Sequence, residues 1–331
     1  MFKKFSLFLV LLVLAFSLVG CGGQEQKAGE PIKIKIGHAT WVGYGPLYIA
    51  KEKGFFQENG INPELTVIED EAQYAAAVTS GELDGLANVV DREVIHFSKG
   101  APIQFILAMD ESYGGDGVIA KGEIKEPKDL KGATIGLDKS STSYFFFLAI
   151  LNKFGLSEND VKIQEMAAGD AGAAFVAGKL DAAVTWEPWL TKASQRPGGH
   201  VLVTSKDFPG TIVDVITLRQ DFVQKHPEAV VGLTKAWFKA IDFWKNNPEE
   251  GNEIMAKALG LSQEEINDMV KGVRFLGKEE NQQMFGNQEE SNSIYGLTNL
   301  AASFWEEKGI MDKNTDLTKL INNKFVEEAS K

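Results

Sequence analysis

A two-lobed α/β fold, each lobe a mainly parallel sheet with helices on both faces, is predicted by three features of this sequence. The first is a weak internal repeat. The run Ala76 to Asn88 lines up with Ala173 to Thr185, displaced by 97 positions. Each copy reads as the end of a helix, then a glycine (Gly81, Gly178) suited to a left-handed helix C-terminus, then a short buried strand. The second feature lies upstream of each copy, where Ile34–Gly37 and Ala133–Gly136 read as strands feeding a turn and a helix. The strand–helix–strand order therefore occurs twice, the pattern of parallel sheets covered by helices. The third is capacity: 331 residues, 44% of them hydrophobic, suffice for two packed cores.

In chain order, Lys3 and Lys4 precede an apolar stretch from Phe5 to Val19. That is the charge and length pattern of a secretory signal, too short for a membrane span of about 20 residues. The stretch ends in Leu18-Val19-Gly20-Cys21, and Cys21 is the only cysteine. This end resembles a bacterial lipobox, which implies a signal peptide over 1–20, cleavage before Cys21, acylation of its thiol and a lipid anchor on the extracytoplasmic face of the cell membrane. A lone cysteine excludes any intrachain disulfide, so the exported part is expected to be held by its core. Residues 21–31 lack apolar periodicity and read as a flexible stalk. The formal charge is −12, two units more negative once Lys3 and Lys4 leave with the signal. Such acidity argues against a nucleic-acid partner and against attraction to anionic lipid beyond the acyl chain.

In open α/β sheets the ligand crevice lies beyond the carboxyl ends of the strands. Applied to both lobes, this places Thr40-Trp41, Asn88 to Asp91, Ser140 to Ser143 and Thr185-Trp186-Glu187 around one cleft. Pro46 and Pro188 sit where first-turn prolines would start the helices after Trp41 and Glu187. Ser140, Ser141, Thr142 and Ser143 precede the apolar run Tyr144 to Leu151, so hydroxyls and free N–H groups converge at a helix start, an arrangement suited to an anionic group. Trp41, Tyr44, Trp186 and Trp189 offer aromatic surface, and Asp91, Glu187 and Asp214 are acids able to pair with an amine. The C-terminal third is helical. In Glu228–Lys245, Val230, Leu233, Trp237, Ile241 and Trp244 recur at helical spacing and read as core.

The segments Gly43 to Phe56, Ile124 to Gly132, Gly178 to Pro188 and Lys225 to Glu228, in that order behind the lipobox-like start, resemble the nitrate/sulfonate/taurine-type solute-binding proteins of ABC importers. The resemblance runs from about Ile34 to Pro248. It implies a periplasmic-binding-protein-like fold of type II, with lobe I over 32–113 and 216–331, lobe II over 114–215, and two crossing segments about which the lobes close. Gly114 to Gly117 and Phe208 to Gly210 fall at those crossings. It also implies a monomer without cofactor that hands a small ligand to a permease and its ATPase subunit. Hydroxyls at one end and carboxylates with indoles elsewhere favour a sulfonate or a taurine-like aminosulfonate. The ligand set is Trp41, Tyr44, Asn88, Asp91, Ser140, Ser141, Thr142, Ser143, Thr185, Trp186, Glu187 and Asp214. Nitrate, a betaine or a thiamine pyrimidine precursor are alternatives on the same scaffold.

An enzyme is disfavoured. The four histidines, His38, His96, His200 and His226, have no partner at metal-ligand spacing. No Gly-x-Ser-x-Gly elbow occurs, and Gly43-Tyr44-Gly45 lacks the third glycine of a dinucleotide loop. The same fold resembles enzymes of thiamine-pyrimidine biosynthesis, but those use a cysteine-rich segment that this chain lacks. A ligand sensor is a further alternative.

Overall fold

The computed structural model describes residues 30–288 and 290–331. The signal segment, Cys21 and all but the last two residues of the stalk lie outside the described residues. Two sheets form the framework. The first carries β1 (Ile32–His38), β2 (Ile61–Val67), β3 (Gly85–Val89), β4 (Ile103–Ser112), β10 (Val213–Arg219) and β11 (Val273–Phe275), in the order β11-β4-β10-β3-β1-β2. The second carries β5 (Asp116–Lys121), β6 (Thr134–Leu137), β7 (Lys162–Glu165), β8 (Ala182–Trp186) and β9 (Gly199–Thr204), in the order β7-β6-β8-β5-β9. With helices on both faces, central strands such as β3 are buried along their whole length, which is why they read as continuous apolar runs.

The predicted repeat is built as two parallel three-strand units. In the first sheet β1 pairs in parallel with β2 and β3, and in the second β6 pairs in parallel with β7 and β8. The strand that enters each sheet from the other lobe runs against these. β10 is antiparallel to β3 and β4, and β5 is antiparallel to β8 and β9. The N-terminal ends of β5 and β10 thus lie at the same edges as the C-terminal ends of the parallel strands, and both lobes turn these edges to the space between them. Gly85 makes the β3–β10 approach possible: a Cβ there would stand 2.1 Å from the Thr217 carbonyl oxygen.

The chain crosses between sheets twice, after Ser112 and before Val213. The return comes earlier than the expected boundary at 216, because Asp214 and Val215 already pair with β3 and β4. The crossings are tied together: Ser112 Oγ and Ser205 Oγ are 2.8 Å apart, and the Gly114 N–H donates to Ser205 Oγ at 2.8 Å. Gly114, at φ 120°, adopts a backbone that favours glycine.

In the helix Pro227–Asn246, Val230, Leu233, Trp237 and Ile241 are fully buried, as their spacing predicts, while Trp244 is half-buried. Each such side chain contributes about 1.5–3 kcal/mol through burial. The helix Ile294–Glu307, near the C-terminus, does more than complete the first lobe. It packs on the helix Val90–Ser98 of that lobe and sends Phe304 and Trp305 to Phe145 of the helix Thr142–Lys153 in the second, at ring separations of 5.0 and 5.6 Å.

Candidate functional site

Between the facing strand ends lies a small cavity of about 40 Å³. Ala39 and Trp41 come just after β1, Asn88 and Val89 end β3, Trp186 ends β8, and Asp116 and Asp214 open β5 and β10. Tyr44, Thr142 and Ile212 complete the lining. This is the crevice that the topology of an open α/β sheet provides. Three aromatic rings stand in its walls, and its charged groups are two acids, Asp116 and Asp214.

Three aspartates set the electrostatics. Asp110 and Asp214 stand opposite each other on β4 and β10, so their side chains share a face, although like charges directly opposite are unfavourable. Trp41 Nε1 donates to Asp110 Oδ1 at 3.0 Å, and the Tyr44 hydroxyl donates to Asp214 Oδ1. Burial, the proximity of Asp116 and that of Glu111 push the Asp110 carboxyl up to about 7, against the hydrogen bond from Trp41. Burial first, and then the Asp110 charge, hold Asp214 well above the ordinary carboxyl range. Asp116 is pushed up to about 7 by burial, with smaller contributions from Glu187 and Asp91. Among the described residues, no lysine, arginine or histidine lines the cavity.

The expected ligand set divides. Trp41, Tyr44, Asn88, Thr142, Trp186 and Asp214 line the cavity. Asn88 Nδ2, however, is engaged with Glu93 Oε1 at 2.7 Å. Ser140 is exposed and its N–H and Oγ both donate to Asp138 Oδ1, at 2.7 and 2.6 Å, so it turns away from the cleft. Ser141 is the N-cap of its helix, accepting from the Ser143 N–H at 3.3 Å. Ser143 is buried with an unpartnered Oγ and does not line the cavity. Thr185 is fully buried and donates to the Ala168 carbonyl at 3.0 Å, tying strand to helix. Glu187 caps the helix Trp189–Ser194 through the Thr191 N–H and Oγ1, at 3.1 and 2.6 Å. Trp189 is 39% exposed and stands outside the cavity.

Asp91 differs most from expectation. It accepts from Thr142 Oγ1 at 2.5 Å, so a carboxylate of the chain itself meets the start of the helix where an anionic ligand group was expected. This bond joins the two lobes directly. Its other oxygen is buried without a partner, and burial raises its carboxyl above the usual range. His38, equally able by sequence to serve ligand or backbone, is internal. Its Nδ1 donates to the Ala39 carbonyl at 2.8 Å, leaving Nε2, 2.7 Å from the Tyr48 oxygen, to accept from that hydroxyl.

Asp110 and Asp116 were not among the expected site residues. Asp110 comes directly after the largely apolar run Ile103–Met109 and just before Glu111, and acids near the carboxyl end of a buried strand were the available signal. Asp116 was legible only as part of a glycine-rich crossing.

Residues 27–260 match the NMT1-like family. A Bacillus subtilis protein whose name assigns it, provisionally, to binding aliphatic sulfonates is 26% identical over 97% of this chain and 96% of its own length. The taurine-binding periplasmic protein of Escherichia coli is 25% identical over 85% of this chain and 89% of its own. The periplasmic aliphatic sulphonate binding protein SsuA of E. coli superposes with a TM-score of 0.73 at 19% identity, over 90% of this chain and 99% of that one. The periplasmic nitrate-binding protein NrtA of Synechocystis gives 0.73 at 16% identity, over 91% and 89%. These structures share the two-lobed periplasmic-binding-protein fold, and with the match spanning most of its length the chain belongs to the NMT1-like family.

Proposed function

We propose that this protein is the extracytoplasmic solute-binding component of an ABC importer, that it captures a small amine-bearing solute between its lobes, and that it performs no chemistry of its own. Relatives named for sulfonate and taurine binding support the transport role. The amine rests on one observation: Asp116 and Asp214 face the cavity, Asp110 stands behind Asp214, and no cationic side chain among the described residues lines the wall. The nearby donors of Trp41, Tyr44 and Thr142 are already committed to Asp110, Asp214 and Asp91. An ammonium or amidine group supplies the missing donors and charge, and the indoles of Trp41 and Trp186 supply apolar and cation–π surface. Within the ligand class of the relatives, a taurine-like aminosulfonate is the member that meets this requirement.

Calorimetric titration with 2-aminoethanesulfonate, ethanesulfonate, nitrate, glycine betaine and an aminopyrimidine tests the reading. The amine-bearing compounds are expected to bind and the plain sulfonate to bind more weakly. Asp214→Asn is expected to weaken amines by about 1.5–3 kcal/mol, the range of a charge-assisted hydrogen bond, and to spare ethanesulfonate. Tighter binding of ethanesulfonate than of its amino analogue overturns the amine assignment. A sulfonate lacking an amine is the second reading, favoured by the unpartnered Ser143 Oγ beside the start of the helix Thr142–Lys153.

Attachment belongs to the same proposal. Cys21 carries the lipid, and Cys21→Ala is expected to move the protein from the membrane to the soluble extracytoplasmic fraction. Membrane retention of a processed Cys21→Ala chain would show the anchor to lie elsewhere.

A further inference from the structure

We propose that Asp110 and Asp214 form a carboxyl pair holding one proton between them, and that a ligand's cationic nitrogen displaces this proton, so that solute capture releases a proton to solvent. The proposal rests on the amine reading above and adds to it a tuning residue, Asp110, and a linkage to protons.

The geometry leaves the pair little alternative. β4 and β10 put the two residues opposite one another, with Asp214 in the wall of the cavity and Asp110 behind it. Both are buried, at 0% and 2% exposure, and face each other across the β4–β10 ladder, close enough for the charge of one to disfavour that of the other. Two buried carboxyls facing each other do not both ionise readily, so one keeps its proton. The groups acting most strongly on the pair bring no compensating cation. Trp41 and Tyr44 are neutral donors, Tyr74 faces Tyr44, His38 stacks edge-on to Tyr44 at 5.7 Å, and Asp116 and Glu111 are acids. Glu111 is itself engaged by Arg274, at 3.3 Å, and by the Gly210 N–H, at 2.7 Å.

Asp214 lines the cavity whereas Asp110 stands behind it, its Oδ2 unpartnered and packed against Gly43. Asp110 therefore acts through Asp214, as a positioning residue that keeps its neighbour protonated until a cation arrives. Charge balances in the exchange: the pair enters as one carboxylic acid and one carboxylate, the ammonium replaces the acid's proton as counter-charge, and the proton leaves to water. A neutral solute or plain sulfonate leaves the proton in place.

The test is titration calorimetry of the full-length soluble domain with 2-aminoethanesulfonate and with ethylammonium, in two buffers of different ionisation enthalpy, from pH 5.5 to 8. At pH 6.5–7 the enthalpy difference is expected to report about one proton released per ligand, and Kd to tighten by up to tenfold per pH unit before levelling. Asp312→Asn, at an exposed acid outside the cavity, is expected to keep the release. In Asp110→Asn the lone Asp214 ionises more readily, so amine binding persists with a flattened pH profile, which a merely structural role for Asp110 would not produce. The wild-type proton count decides even if a variant folds poorly. Amine binding with no proton release and a pH-independent Kd overturns this proposal alone. Failure of both amines to bind at every pH overturns the amine reading and this proposal with it.

Discussion

Gly43 shows how one missing side chain shapes the site. A Cβ there would stand 2.2 Å from both Asp110 Oδ2 and Trp41 Nε1, so the residue lets the buried acid and its indole donor meet behind the cavity. Gly43→Ala is expected to cost about 1–3 kcal/mol of stability, the range for overpacking a filled site, and to weaken ligand capture. Urea unfolding together with ligand titration checks this, and unchanged values for both would mean that Asp110 can swing aside. The same scale separates Thr142 from its neighbours. All four residues of the run Ser140 to Ser143 have hydroxyls, yet Thr142 alone among them lines the cavity, and its hydroxyl already serves Asp91.

At the level of elements, the helix Ile294–Glu307 and the helix Thr142–Lys153 join lobes that the strands separate. Trp305 is fully buried, lies 6.0 Å from the Tyr144 ring, and donates to the Asp91 carbonyl at 3.2 Å. The Asp91 backbone is thus held from the first lobe while its side chain accepts from the second. Trp305→Phe keeps most of the packing and removes the donor, an expected cost of about 0.5–1.5 kcal/mol. Trp305→Ala is expected to cost about 3–5 kcal/mol by leaving a cavity, measurable as a shifted unfolding midpoint. Thr142→Ala breaks the bond between the lobes. In small-angle scattering the ligand-free variant should be more open than wild type, and identical radii of gyration would rule out a role for this bond in closure.

For the whole molecule, the buried acids set an unusual dependence of stability on pH. Asp110 and Asp116, pushed up to about 7, bind more protons folded than unfolded between their ordinary value of 3.8 and that point, and raised Asp214 extends the window upward. Stability from these groups therefore falls as pH rises through the window. His38, lowered chiefly by burial, acts the other way below 6.5. Carboxylates held low by hydrogen bonds and nearby cations, such as Asp160, Asp181 and Glu265, lose their contribution only as pH falls below their ordinary values. They are half-buried surface groups still screened by water, and count for less. With these acids, and Asp84, Asp91 and Glu187 raised in the same direction, outweighing the one lowered histidine, the ligand-free melting temperature is expected to peak near pH 5 and to decline toward pH 8. Calorimetric scans from pH 4 to 8 check this, and Asp214→Asn should flatten the decline. A maximum at pH 7–8 would contradict it.

The sequence by itself determined the order of elements, because strand and helix periodicities and the glycines that end helices are local signals. The repeat at Ala76 and Ala173, the apolar β1 and β6, and the stripe Val230 to Ile241 were all legible for that reason. The rule that crevices form at strand ends also located the neighbourhood of Trp41, Asn88 and Trp186. What only the tertiary structure decided is which polar groups face the cavity. Side chains alternate across a strand and rotate about a helix, so Thr185 and Trp186, adjacent in sequence, serve an internal bond and the cavity respectively. The Asp110–Asp214 pair depends on the register of two strands about a hundred residues apart, and a shift of one position would turn one carboxyl to the opposite face. No local pattern carries that register; it is fixed by the packing of both sheet faces.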